Sequence, residues 1–147
     1  MKHIATYICT FLAATAITIF AADEISLTTL LKVDNGEFML DRRISNQKID
    51  QTGNSMSYNI QSIATNAHEQ ISIISDVATN GISYFKNLTT NTSRTVDIGL
   101  QDSNSVFIAF MRLKATEIGI CRLHPTNNIY AKANGGAVQI EAWVNED

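Results

Sequence analysis

Residues 24–33 read EISLTTLLKV, and polar and apolar side chains alternate along them with a period of two residues. Successive side chains of a β-strand point to opposite faces of the sheet, so this alternation is typical of a half-buried strand. The tripeptide Asp34-Asn35-Gly36 follows, and Asn and Gly tolerate the positive φ of hairpin turns. The pattern therefore predicts a hairpin whose second strand contains Phe38 and Leu40. The inward face of the first strand would carry Ile25, Leu27, Thr29, Leu31 and Val33.

Short runs of the same kind recur along the chain, at the spacing of roughly 8–12 residues that is typical of β-sandwiches. Turn-forming sequences at residues 79–81, 89–93, 101–105 and 134–136 separate them, and the polar residues 44–57 are predicted to form a long loop. We therefore expect one all-β domain, residues 23–147, folded as a jelly-roll-like antiparallel β-sandwich of about eight strands. The candidate strands are residues 58–63, 70–75, 82–88, 94–100, 106–113, 119–123, 130–133 and 137–144. The side chains expected to point mainly inward are Leu27, Leu31, Phe38, Phe85, Ile98, Phe110, Leu113, Leu123 and Ile140.

Residues 1–22 differ from the rest of the chain and form a hydrophobic leader. Residues 4–20 contain no charge, Gly or Pro. A membrane-spanning helix needs about 20 apolar residues, so this stretch of roughly 17 is short for one. Lys2 ahead of it and Ala14-Thr15-Ala16 near its end fit a secretory signal, which would contact a membrane only transiently. The alternatives are a misassigned start codon and an N-terminal extension that stays attached.

The charge of the chain bears on the class of partner. The formal net charge is −3, only 17% of the residues are charged, and Lys and Arg form no cluster. Neutralised phosphates supply most of the affinity of proteins for nucleic acids, so a nucleic-acid partner is not expected.

The pair Cys121 and His124 is the strongest chemical candidate in the sequence. His124 follows Cys121 by three positions. The two could be a nucleophile and its base, two metal ligands, or residues with no chemical role. In a strand over residues 119–123, Cys121 shares an apolar face with Leu123, where a free cysteine packs as a small hydrophobic residue. The sequence offers no third group to orient His124, and too few ligands nearby for zinc. We therefore expect a protein that is not an enzyme, with no catalytic residue, metal, cofactor or small-molecule substrate.

The final candidate strand is the best candidate for an interface. Residues 137–144 read AVQIEAWV, in which Glu141 is the only charge. Edge strands are normally protected by charges, so this strand is expected to pair with, or pack on, another chain. Trp143 would be its anchor, since Trp and Arg are enriched at interfaces. The residues predicted to form the interface are Arg112, Arg122, Glu141 and Trp143.

Five segments carry a resemblance to a known group of proteins. They are residues 22–38, 50–55, 60–73, 75–99 and 110–147, of which the fourth reads SDVATNGISYFKNLTTNTSRTVDIG. Together they make residues 22–147 similar to small virion-associated proteins of tailed phages and prophages. The positions that carry the resemblance are Asp76, Val77, Gly81, Phe85, Asn87, Leu88, Val96, Ile98, Gly99, Leu113, Lys114, Glu117, Arg122, Leu123, Tyr130, Ala131, Lys132 and Ala133.

The resemblance implies a phage structural protein located in the virion, as a capsid decoration or a tail- or fibre-associated component. Its expected partners are copies of itself, in a homo-oligomer, and other capsid or tail proteins. The chain departs from the group by its leader and by Thr116, which stands where the pattern favours Gly and predicts a looser turn before Glu117. The alternative is a secreted or cell-surface recognition module that binds glycans or proteins.

Overall fold

A computed structural model describes residues 25–34, 36 and 39–147 of the protein. These residues form ten β-strands and no helix, and every strand pair is antiparallel. The predicted all-β class is therefore confirmed. The leader, residues 1–22, lies outside the described residues, as do Phe38 and the side chain of Val33.

The chain divides into two compact units that meet in sequence at Asp50 and Gln51. In the first unit, β1 (Ile25–Asp34) and β2 (Met39–Ile49) pair as a hairpin. Gly36 lies in the turn at a φ of +86°, and its N–H donates a hydrogen bond to Oδ1 of Asp34 at 3.2 Å. The glycine therefore supplies the positive φ that the hairpin needs, as the sequence predicted.

Two predictions about the hairpin region are wrong. The loop expected at residues 44–57 is largely strand, because β2 runs to Ile49 and the next strand begins at Met56. The backbone of β2 is hydrogen-bonded to β1, and nearly all side chains of β2 are exposed. Polar residues can therefore form this strand. Leu31 was expected to point inward but is 54% exposed, since the two-stranded sheet has no second layer of its own within the first unit.

The second unit, Gln51–Asp147, is an eight-stranded sandwich. We call its sheets sheet I, with strand order β3-β10-β5-β8, and sheet II, with strand order β4-β9-β6-β7. The strand expected over residues 70–75 is reduced to the two residues of β4. The strands are β3 (Met56–Ile63), β4 (Glu69–Gln70), β5 (Asn80–Asn87), β6 (Thr95–Gln101), β7 (Phe107–Leu113), β8 (Ile118–Arg122), β9 (Tyr130–Asn134) and β10 (Val138–Glu146).

This strand order is compatible with the predicted jelly roll, in which eight antiparallel strands form two packed four-stranded sheets. It corrects one expectation. The last strand was expected to have an unpaired edge, but β10 lies inside sheet I, between β3 and β5. Its backbone ladder is therefore occupied on both sides, and pairing of β10 with another chain is excluded in this fold.

The core lies between the two sheets. Phe85, Ile98, Leu113, Leu123 and Ile140 were all predicted to point inward, and all are buried. The prediction for Phe110 is wrong, since this side chain is 48% exposed. The β6–β7 register shifts so that Ile98 pairs with Met111 and Gly99 pairs with Ala109, which leaves Phe110 as the extra residue of a β-bulge. A bulge re-aims the side chains around it, and no local pattern in the sequence announces this one.

Candidate interaction surface

Four side chains form a continuous row across the outer face of sheet I. Trp143 on β10 lies opposite Tyr58 on β3 and Tyr84 on β5, and Tyr84 lies opposite Ile120 on β8. The Tyr58 ring stands edge-on to Trp143, with centroids 5.6 Å apart, and the Tyr84 ring is tilted against it at 6.1 Å. Such aromatic contacts contribute about 0.5–1.5 kcal/mol each, so the neighbouring rings hold Trp143 in place. Its side chain is nevertheless 41% exposed.

The alternation of β10 turns Trp143 outward. Val138, Ile140, Ala142 and Val144 are all buried, so residues of the other parity must lie on the outer face. The outward direction of Trp143 can be predicted from the sequence AVQIEAWV, because Trp143 alternates with the aliphatic residues of the strand.

Further apolar side chains extend the row on both sides. Met56 and Ile60 flank Tyr58 along β3, and both are 48% exposed; Ile118 on β8 is 53% exposed. Lys86 and Glu141 lie opposite each other on the central strands, between Ile60 and Ile118. We call this surface the aromatic face; it consists of Met56, Tyr58, Ile60, Tyr84, Ile118, Ile120 and Trp143. Of these seven residues, only Trp143 was predicted from the sequence to form an interface.

A shallow concavity of about 310 Å³ opens on the aromatic face, lined by Tyr84, Glu141 and Trp143. Burial raises the pKa of the Tyr84 phenol, and the charge of Glu141 and the neighbouring Tyr58 raise it further. The phenol therefore stays protonated at neutral pH and can donate a hydrogen bond. The concavity thus combines an indole ring, a hydroxyl donor and a carboxylate acceptor.

A second apolar patch lies on β7 and on Val106 just before it, at the edge of sheet II. Val106, Ile108 and Phe110 are 55%, 57% and 48% exposed, and we call these three residues the β7 edge patch. Residues 106–111 read VFIAFM and contain no charge. Within the described part of the chain, β7 pairs only with β6. Its other side therefore presents backbone groups and apolar side chains together.

Cys121 and His124 line the same cavity of about 220 Å³ beside Phe110, but their surroundings differ. Cys121 is half-buried and packs against the core, and this burial raises the pKa of its thiol. A raised pKa lowers the fraction of reactive thiolate. The Nδ1 atom of His124 lies 3.2 Å from the hydroxyl of Thr126 in its own turn. This geometry supports the packing role predicted for Cys121.

The structure separates the four predicted interface residues. Glu141 and Trp143 lie together on sheet I, and Arg122 borders the aromatic face two residues beyond Ile120 on β8. Nη1 of Arg122 lies 2.6 Å from the carboxylate of Asp147. Arg112 lies on sheet II instead, where it forms an ion pair with Asp97 of the same chain.

Thr116 and Glu117 form the turn between β7 and β8. Glu117 closes this turn, because its Oε2 accepts a hydrogen bond from the N–H of Lys114 at 2.7 Å. Thr116 adopts a φ of +66°. The expected looser turn is therefore not found, and Thr116 takes the left-handed conformation in which glycine is favoured.

His68 belongs to a small aromatic cluster that sequence reasoning missed. Its ring stacks on Phe107 and stands edge-on to Tyr130, both at 5.4 Å between ring centres. Phe107 in turn lies over Gly99, where a Cβ atom would come within 2.7 Å of the Phe107 ring. No local pattern could have placed His68 here, because the cluster unites residues from four separate parts of the chain.

Among residues 25–34, 36 and 39–147, no group of three or more His, Cys, Asp or Glu side chains could hold a metal ion. The same residues contain no helix that is long and apolar enough to cross a membrane. In comparisons with family models, curated proteins and solved structures, the chain matches none of them.

Proposed function

We propose that the protein is a non-enzymatic structural protein of a virion, a capsid decoration or a tail- or fibre-associated component, that associates with copies of itself through the aromatic face. The observation that carries this proposal is the inverted polarity of the two outer strands of sheet I. On these strands most of the large apolar side chains point to the surface, and the inward positions are polar or small except for Ile63 at the end of β3.

On β3 the inward polar side chains have partners within the chain. Oγ of Ser57 accepts a hydrogen bond from the N–H of Ile74 at 3.1 Å. The amide of Gln61 accepts one from the N–H of Ser72 and donates one to the carbonyl of Gln70, both at 3.0 Å. The polar side of β3 is therefore satisfied by the backbone of residues 70–74. Tyr58 and Ile60 are left on the outer side.

On β8 the same inversion has a packing cause. Gly119 and Cys121 face inward, and a Cβ at Gly119 would lie 2.1 Å from the sulfur of Met111. A larger side chain at Gly119 would have to displace Met111, and the large side chains of β8, Ile118 and Ile120, lie on the outer face. Nothing inside the sandwich compensates for exposing them, which is the signature of a surface that another molecule covers.

The size of the aromatic face supports the same conclusion. Six of its side chains are about half exposed. At roughly 200 Å² each, they present on the order of 600 Å² of surface. The largest apolar patch of a typical monomer is about 300–600 Å², and each partner of a standard interface contributes about 800 Å². The aromatic face is therefore at the upper limit for a monomer and near the size of an interface.

The virion as the location is supported by the resemblance of residues 75–99 and 110–136 to phage virion-associated proteins. Jelly-roll sandwiches are also a common architecture of viral coat proteins, because they leave many loops free for contacts between copies.

The proposal is tested by sedimentation of the wild type, Trp143→Ala and a matched control, Gln139→Ala. Gln139 is exposed on the same face of β10 as Trp143, four residues before it. It lies beyond the opposed pair of Glu141 and Lys86. We expect the wild type and Gln139→Ala to be oligomeric, and Trp143→Ala to dissociate at higher concentration. A monomeric wild type would overturn the proposal.

The concavity lined by Tyr84, Glu141 and Trp143 favours a second candidate, a glycan-binding recognition module. An exposed indole with a nearby donor and acceptor is the arrangement that holds a sugar ring. A glycan array distinguishes the two functions. A monomer that binds a glycan, and loses this binding in Trp143→Ala but not in Gln139→Ala, would establish the second candidate in place of the first.

A further inference from the structure

We propose that a cavity beside Arg94, at one end of the sandwich, binds the carboxylate group of a ligand. The cavity has a volume of about 190 Å³ and lies where the end of β3, the end of β5 and the start of β10 meet Arg94. Its polar lining residues are Ser62, Thr89, Arg94 and Gln139, and the others are aliphatic. None of them belongs to the aromatic face, so the site is independent of the proposed self-association.

The guanidinium of Arg94 has no acidic partner within the described part of the chain, where the two ion pairs involve other arginines. Nη1 of Arg94 donates a hydrogen bond to the carbonyl oxygen of Ala137 at 3.0 Å, and Nε is buried without an acceptor. A guanidinium carries five N–H donors. Those of Nη2 and the second one of Nη1 are therefore left for an acceptor from outside the described chain.

The turn before β10 fixes the position of this guanidinium. Gly136 adopts a φ of +134°, and a Cβ atom there would lie 2.7 Å from Nε of Arg94. A Cβ atom on Gly135 would lie 2.3 Å from the carbonyl oxygen of Ser93. The two glycines therefore let the backbone close over Nε, while Nη1 is bonded to Ala137. A side chain that is already held in place loses little conformational entropy when it binds a ligand, which favours affinity.

The charge of the lining indicates a carboxylate. Arg94 supplies the one charge among the lining residues, and a carboxylate carries one negative charge, whereas a phosphate monoester carries about −1.5 to −2. The planar guanidinium can donate to both oxygens of a carboxylate. The hydroxyls of Ser62 and Thr89 and the amide of Gln139 can donate to the same oxygens. The carboxylate would belong to a small free acid or to an acidic side chain of another protein.

Sodium acetate is the probe for this site. It replaces sodium chloride at constant ionic strength, while NMR follows the Nε–Hε and backbone amide signals of the ¹⁵N-labelled protein. We expect a saturable shift of Arg94 and of the residues that line the cavity. Arg94→Gln should weaken acetate binding about tenfold to hundredfold, the factor for hydrogen bonds to a charged group. Lys132→Gln is the matched control, because it removes the same charge from sheet II outside the cavity, and it should bind acetate like the wild type.

Ser62→Ala provides a second variant in case Arg94→Gln does not fold, because the Ser62 side chain is exposed. It should weaken acetate binding about twofold to tenfold, the factor for a neutral hydrogen bond. Circular dichroism checks the folding of each variant. A blocked peptide with one glutamate distinguishes the sources. Binding tighter than that of acetate assigns the carboxylate to another protein, and weaker binding assigns it to a small free acid.

Three results would overturn the inference. The first is a shift that grows linearly with acetate and does not saturate. The second is unchanged acetate binding in a folded Arg94→Gln protein, which would leave Arg94 with only its structural bond to Ala137. The third is tighter binding of inorganic phosphate than of acetate, which would contradict the carboxylate as the ligand.

Discussion

Arg112 holds Asp97 with two hydrogen bonds, from Nε to Oδ1 at 2.6 Å and from Nη2 to Oδ2 at 2.9 Å. The two residues lie opposite each other on β7 and β6, and the Asp97 side chain is only 10% exposed. Asn134 donates a third hydrogen bond to the same carboxylate at 3.0 Å. Arg112 was a predicted interface residue, and this geometry gives it a role in the fold of sheet II.

We therefore expect Arg112→Ala to lower the melting temperature while self-association is retained, because the variant leaves a nearly buried carboxylate without its main partner. Differential scanning calorimetry and sedimentation of the same sample measure the two effects. If Arg112→Ala lost assembly but melted like the wild type, Arg112 would be shown to contribute to the interface and not to the fold.

Asp97 should also make the stability depend on pH. Its hydrogen bonds with Arg112 lower the pKa of the carboxyl below its ordinary value of 3.8, against the raising effect of burial, and the Asn134 bond lowers it further. The stabilisation by such a group is complete above the ordinary value and is lost as the pH falls through the lower folded value. We expect Asp97→Asn to lose about 1.5–3 kcal/mol at pH 7, the range for hydrogen bonds to charged groups.

Urea unfolding at a series of pH values measures this loss. The difference between wild type and Asp97→Asn should persist down to about pH 4, the ordinary range of an aspartate, and shrink below it. A difference that is constant down to pH 2 would show that the carboxylate charge does not matter.

Thr116→Gly should stabilise the protein. Thr116 is a β-branched residue at a φ of +66°, a conformation that costs an ordinary residue about 1–2 kcal/mol. Glycine avoids this cost but makes the unfolded chain more flexible, so we expect a net gain of up to about 1 kcal/mol. Thr95→Gly is the control, because Thr95 lies in β6 and glycine weakens a strand. A lower melting temperature for Thr116→Gly would contradict the left-handed conformation of Thr116.

Cys121→Ser should fold and assemble like the wild type, with a loss of about 1–2 kcal/mol for burying a hydroxyl group. The raised pKa of the thiol also predicts slow labelling by a thiol reagent at neutral pH, compared with the same reaction in urea. Fast labelling of the folded protein, or loss of assembly in a folded Cys121→Ser variant, would show that the thiol has a chemical role.

The features that the sequence predicted correctly are those that depend on local alternation. The inward direction of Phe85, Ile98 and Ile140 follows from strands that keep a strict period of two. Phe110 was misjudged because the bulge in β7 breaks that period, and a bulge depends on pairing with β6. The loop expected at residues 44–57 was wrong because β2 gains its order from pairing with β1, despite its polar composition.

The aromatic face was only partly predictable, for a related reason. The outward direction of Trp143 follows from β10 alone. The positions of Tyr58 and Tyr84 beside it follow from ladder registers between strands far apart in the chain. On β3 and β8 the usual inference, that large apolar side chains point inward, gives the wrong face. The inward partners of β3 lie in residues 70–74, and only the folded structure brings them together.

Trp143 is the only tryptophan of the chain. Its fluorescence therefore tests most directly whether another copy covers the aromatic face. Its emission maximum is measured over a dilution series, and the mass of the same samples is measured by sedimentation. If copies cover the face, emission is blue-shifted at high concentration and moves to longer wavelength as dilution lowers the mass. A constant emission maximum, with a monomer mass throughout the series, would contradict the account.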